Sequence, residues 1–140
     1  MGKINWRSVI LGGLLAGVVL NVVDFVLYGV VLKQDMAAAM LAIGKQPMPD
    51  SMIPLYVVWD FVLGIALLWL YAAIRPRFGA GAKTAVIAGL FVWFLIGLMH
   101  AIGEAPMGLF PQKFYTLGTI VALIQIPVAA VAGAYPYKEM

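Results

Sequence analysis

Four long apolar runs dominate the chain, and each is broken at only one or two polar positions. The first extends from about Ser8 to Leu32 and is interrupted by Asn21 and Asp24. The second extends from about Ile53 to Ile74 with Asp60 inside, and the third from about Thr84 to Ala101 with His100 near its end. The fourth extends from about Phe114 to Ala134 and contains Gln125 and Pro127, the latter an expected kink. A helix crossing the hydrocarbon layer needs about 20 such residues. The pattern therefore predicts an all-α polytopic membrane protein, a four-helix bundle forming one domain over residues 1–140. Between the first two runs, Gln34 to Ile43 is rich in Ala, Met and Leu, all good helix formers. Gly44 suits a helix C-cap, and Pro47 and Pro49 forbid continuation. This predicts a short helix on the outer membrane surface. The loop Gly103 to Pro111 is compact and holds two prolines.

Residues three and four apart share a helix face. In the first span Gly13, Gly17, Asn21, Asp24 and Tyr28 fall within one narrow arc, and in the second Tyr56, Asp60, Gly64 and Tyr71 do so. In the third, Gly89, Trp93, Gly97 and His100 align, joined by Glu104 if the helix continues; in the fourth, Gly118, Ala122, Gln125 and Ala129 align. Each span thus carries its polar residue on its stripe of small residues. Small residues permit close helix approach, and polar groups avoid lipid. The two signals coincide four times and predict a bundle with a polar interior.

Composition agrees with this class. Hydrophobic residues make up 64% of the 140 and charged residues 11%, against about 45–50% and about 25% in an ordinary soluble domain. A soluble catalytic domain does not fit beside four spans. There is no cysteine, which excludes disulfides, thiolate metal sites and iron–sulfur clusters. A single histidine cannot hold haem from both faces. Nothing in the basic residues points to nucleic acid. The first apolar stretch is too long for a signal peptide, and no small-x-small cleavage site follows it.

The net charge of +3 matters less than where the charges lie. Lys3, Arg7, Arg75, Arg77, Lys83 and Lys138 fall on the side of the two termini, and Lys33, Lys45 and Lys113 on the other. The positive-inside rule then places both termini in the cytoplasm. Arg75, Arg77 and Lys83 read as topology determinants that contact anionic lipid head groups. Gly79 to Thr84 superficially resembles a phosphate loop, but it lacks the glycine before Lys83 and no strand precedes it.

With that orientation, Asp24 lies about 13 Å below the outer boundary, Asp60 about 10 Å and Gln125 about 15 Å at 1.5 Å per residue. His100 and Glu104 mark the outer rim. The expected picture is a polar pocket open to the outside and closed below by apolar packing. Asp24, Asp60, Asn21, Gln125, His100 and Glu104 are its candidate ligand-binding residues, suited to a cation, a proton or a small polar solute. Two adjacent buried carboxylates do not both ionise readily, so they share a proton or a positive ligand. The competing reading is that the same residues only lock the helices together.

His100 and Glu104 also have the i,i+4 spacing of a metal-ligand pair, and with Asp24 and Asp60 would offer nitrogen and oxygen donors to a metal ion. The competing reading is an interfacial histidine. Met36, Met40, Met48, Met52, Met99 and Met107 all fall on the outer side. Thioethers are soft-metal ligands, but methionine more often fills gaps and anchors an interfacial helix. No resident cofactor is expected beyond that metal ion. Val9-Ile10-Leu11-Gly12 and Val86-Ile87-Ala88-Gly89 open the first and third spans alike and raise the idea of a duplicated two-helix unit.

The runs Tyr71-Ala72-Ala73-Ile74-Arg75-Pro76-Arg77-Phe78-Gly79, Ile4-Asn5-Trp6-Arg7 and Ala105-Pro106-Met107-Gly108-Leu109-Phe110 resemble those of small uncharacterised bacterial inner-membrane proteins of four spans. The resemblance implies a bacterial source and the same topology, and it brings no activity, cofactor or catalytic residue. Three functional expectations follow: a binding or transport protein built on the Asp24–Asp60 pocket, an accessory subunit of a larger membrane complex, or an outer-face metal handler. An enzyme is the weaker reading. The lipid bilayer is the expected partner, with a homodimer if the protein transports.

Overall fold

The computed structural model describes residues 2–140. Helix α1 spans Trp6–Val31, α3 spans Asp50–Phe78, α4 spans Ala82–Met107 and α5 spans Gln112–Ala134, each long and apolar enough to cross a membrane. The short helix α2 spans Lys33–Ala42, one residue earlier at each end than expected. There is no strand among the described residues. The protein is an all-helical, multi-pass membrane bundle.

Local chemistry sets the helix ends. The Asn5 side chain caps α1 by accepting from the Ser8 backbone N–H at 3.2 Å. Pro54 in the first turn of α3 forfeits no hydrogen bond there. Gly79 ends α3 at φ +88, and Gly81 precedes α4 at φ +117, backbone angles that glycine adopts without strain. The Thr84 hydroxyl ties this turn down by donating to the Gly79 carbonyl at 2.7 Å. Helix α4 continues past Gly103 because Pro106 falls only in its closing 3-10 turn, Ala105–Met107. The spans are thus longer than the apolar runs alone indicated.

The helices stand in the cyclic order α1, α3, α4, α5. The most extensive packing is α1 on α3, followed by α4 on α5 and α1 on α5. Both chain termini and the α3–α4 turn lie at one end, hereafter the terminal end. Helix α2 and the α4–α5 connection lie at the far end. The core between them contains Val9, Ala16, Leu20, Leu67, Leu68, Ala85, Ala88, Ala129 and Ala130. Its alanines and glycines let the backbones approach closely. A methyl group on Gly64 would fall on the Gly13 carbonyl oxygen, and one on Gly89 would come within 2.6 Å of the Pro127 Cα. The outside is studded with large apolar side chains such as Phe25, Trp59, Val62 and Ile124, as lipid contact requires.

Helix α2 does more than the expected surface anchor. It turns Ala39 and Met36 onto Leu27, Leu32 and Phe114, a second small apolar cluster at the far end. An ion pair from Lys113 to Asp35 at 2.8 Å joins α2 to the start of α5. Two of the long helices are also wound irregularly. Leu27–Val31 closes α1 as a π turn, and Phe94–Leu98 forms a second π turn within α4. The spacing that aligns Val9-Ile10-Leu11-Gly12 with Val86-Ile87-Ala88-Gly89 does not carry one π turn onto the other.

A carboxyl pair between three helices

Asp24 and Asp60 project from α1 and α3 into the bundle and lie within hydrogen-bonding reach of each other. Gln125 of α5 completes the group from a third helix. Its amide nitrogen donates to Asp24 Oδ1 at 2.8 Å and to the Leu20 carbonyl at 3.1 Å, so both of its N–H bonds are used. Asp60 is 5% exposed and Gln125 7%. The same helical spacing that placed Gly13, Gly17 and Asp24 on one face delivers this geometry. The glycines bring α1 against Phe61 and Ile65 of α3, and the carboxyls one to two turns further on are thereby brought together.

Asn21 sits beside the pair with a different task. Its amide donates to the Gly17 carbonyl at 2.9 Å and to the Val57 carbonyl at 3.3 Å, which clips α1 to α3. Tyr28 reaches over to α5, where its hydroxyl lies against Gly118. Trp93 of α4 donates its indole N–H to the Thr119 carbonyl at 2.9 Å, which pins α4 on α5 near the group.

Among the described residues the two carboxyls have no cationic neighbour. Among the described residues every ion pair lies elsewhere: Arg75 with Glu139, His100 with Glu104, and Lys113 with Asp35. Two neighbouring carboxyls of which one is buried favour a shared proton or cation, because two bare anions repel more strongly where the dielectric is low. The π turn over Leu27–Val31 begins three residues after Asp24. Such turns recur at functional sites and mark places where a helix can rearrange.

His100 and Glu104 do not join this group. His100 Nε2 lies 2.7 Å from Glu104 Oε2, with 64% of the His100 side chain exposed. Glu104 Oε1 accepts from the Tyr115 hydroxyl at 3.2 Å. The expected four-residue metal constellation therefore resolves into two separate places, the carboxyl pair inside the bundle and a His100–Glu104–Tyr115 cluster at the far end. The reason is the direction of α4. Its π turn and final turns carry His100 toward the outside, while Asp24 and Asp60 face inward. Tyr115 gave no signal in spacing, since it stands on another helix.

The expected pocket open from the far end takes a different form. Asp60 is packed over while Asp24 and Asn21 stay half-buried, and two clefts in the structure lie elsewhere. One, of about 520 Å³, runs between α4 and α5 along Leu98, Ala105, Tyr115 and Thr119. The other lies at the terminal end beside Arg75. There Arg75 turns inward while Arg77 and Lys83 stay exposed, so the three basic residues expected at head groups do not form one equivalent set. Comparison with known protein families, characterised proteins and solved structures returned no match, and the site is read from its own geometry.

Proposed function

We propose that this integral membrane protein binds and moves a proton or small cation through the Asp24–Asp60–Gln125 group, with a small polar solute as the wider alternative. The observation that carries the reading is the meeting of two carboxyls from different helices, inside the bundle, with a neutral amide and no basic side chain beside them. Such a pair takes up positive charge when it loses its proton. The packed arrangement is then one state of the cycle, and movement of the segment around Leu27–Val31 opens the pair toward the far end. The proposed setting is a bacterial inner membrane, both termini in the cytoplasm and the far end outside. Six basic residues at the terminal end against three at the other support this orientation.

The conservative variants Asp24→Asn and Asp60→Asn separate transport from helix locking. An asparagine at either position keeps a hydrogen-bonding partner for its neighbours but cannot exchange a proton or hold a cation. In proteoliposomes carrying a pH-sensitive dye, an imposed cation or proton gradient is expected to dissipate with wild-type protein. The rate is expected to fall at least roughly tenfold in either variant, the scale of an electrostatic loss of about 1.4 kcal/mol or more. Wild-type flux in both variants, with only a lower unfolding midpoint, would leave the pair as a structural lock and sink the proposal.

A further inference from the structure

The terminal end carries six basic residues and one acidic residue, Glu139. Arg75, on the last turns of α3, points into the bundle end rather than outward, and 18% of its side chain is exposed. Its guanidinium lies over the Tyr137 ring, 5.2 Å from the centroid. That ring is held in turn by an edge contact with Tyr71 at 5.6 Å and by a 3.3 Å hydrogen bond from the Asn5 N–H to its hydroxyl. The cation is thus built into a fixed frame. It borders a cleft of about 290 Å³ lined by Gly2, Pro76, Ala80 and Glu139.

Within this frame the guanidinium is poorly satisfied. Nη1 lies 3.2 Å from Glu139 Oε1, near enough for charge attraction, yet among the described residues neither Nη1 nor Nε has an aligned hydrogen-bond partner, and both atoms are shielded from solvent. An arginine fork matches an oxyanion that accepts from two of its N–H groups at once. Shielded donors without acceptors are costly, so this fork favours such a ligand. Glu139 occupies the right place with the wrong alignment, and it lies outside any helix, beyond the end of α5. Its other oxygen lies where a side chain on Gly2 would have to be, so Gly2 leaves room for it.

We propose that Arg75 is an anion site at the terminal end, selective for phosphate-type oxyanions, and that Glu139 is its tethered occupant, displaced when the anion binds. The phosphate of a lipid head group and free inorganic phosphate present the same oxygens to the fork. Displacement of Glu139 also loosens the junction of the two termini, where Asn5 holds the Lys138 carbonyl at 2.9 Å. The site is separate from the carboxyl pair and stands or falls independently of it.

The test compares full-length wild-type protein, Glu139→Gln, Arg75→Lys and the double variant. Arg75→Lys keeps the charge and loses the fork. Thermal unfolding in detergent is followed in inorganic phosphate and in chloride at matched ionic strength. Lipid retention is counted by native mass spectrometry after exchange from phosphatidylcholine nanodiscs with and without phosphatidylglycerol. Removing the internal competitor is expected to tighten anion binding roughly tenfold in Glu139→Gln, with the gain lost in the double variant. A response to inorganic phosphate alone assigns the site to the free ion, and enrichment of phosphatidylglycerol alone assigns it to a head group; either supports the proposal. If Glu139→Gln responds to phosphate no more than to chloride and retains no excess phosphatidylglycerol, the Arg75–Glu139 pair is a plain clasp between the termini and the proposal is overturned. Equal gains in Glu139→Gln and the double variant overturn it as well.

Discussion

Gln125 spends both of its amide N–H bonds on α1, one on the Asp24 carboxyl and one on the Leu20 carbonyl. A leucine in its place would keep the volume and remove the donors. Gln125→Leu is therefore expected to destabilise the bundle by about 1–3 kcal/mol, the cost of leaving a buried acceptor without its partner. The upper half of that range applies if Asp24 finds no substitute, since single interhelical hydrogen bonds within membranes average only about 0.6 kcal/mol. Unfolding in mixed detergent micelles measures the difference. A loss well under half a kilocalorie per mole would mean that the amide is peripheral to the group. At the residue scale the candidates read from helical spacing divide clearly. Asp24, Asp60 and Gln125 meet, Asn21 borders them, and His100 and Glu104 do not. Spacing reports which face of a helix a residue occupies, and it cannot report the rotation of that face relative to other helices.

Helix α1 packs closely on α3, an approach made possible by Gly13, Gly17 and Gly64. A side chain on Gly64 would collide with backbone rather than with a flexible side-chain tip, so the helices themselves must separate. Gly64→Ala is expected to cost about 1–3 kcal/mol, the range for inserting a methylene into a filled core. It should also weaken whatever the carboxyl pair does, because Asp60 stands one turn away on the same face. Gly103→Ala provides the matched control, as nothing lies within 4 Å of the added atom. It is expected to be neutral or to stabilise α4 by up to about 1 kcal/mol through helix propensity. Similar losses in both variants, measured side by side by thermal unfolding, would refute this account of the α1–α3 contact. The four long helices were legible as elements because hydrophobicity over some 20 residues is a strong signal. The two π turns were not legible, since winding depends on how packed neighbours accommodate one extra residue rather than on composition.

At the scale of the molecule, the absence of cysteine makes the topology directly measurable. Ala80→Cys places a thiol in the exposed α3–α4 turn at the terminal end, and Lys45→Cys places one in the exposed connection after α2. If the basic residues at the terminal end face the cytoplasm, a membrane-impermeant maleimide is expected to label Lys45→Cys on intact bacterial cells and Ala80→Cys only after the membrane is opened. The reverse pattern would invert the proposed orientation and with it the side from which the carboxyl pair is reached. The same end-to-end asymmetry distinguishes the two candidate sites. Five of the six acidic residues lie from the carboxyl pair to the far end, whereas Glu139 alone stands among the basic residues of the terminal end.

Sequence alone determined the class, the number of long helices, the short helix α2 and the face on which Asp24, Asp60 and Gln125 lie in the first, second and fourth spans. All of these follow from local hydrophobicity and periodicity, which act within one segment. Tertiary structure decided which polar residues meet. It joined Asp24 to Asp60 and Gln125, sent His100 and Glu104 to Tyr115, packed α2 back onto Phe114, and turned Arg75 toward a glutamate 64 positions along the chain. Each of those outcomes depends on the relative rotation of packed helices and on where a chain end comes to rest. Those quantities are set by contacts between distant segments, and no short window of sequence contains them.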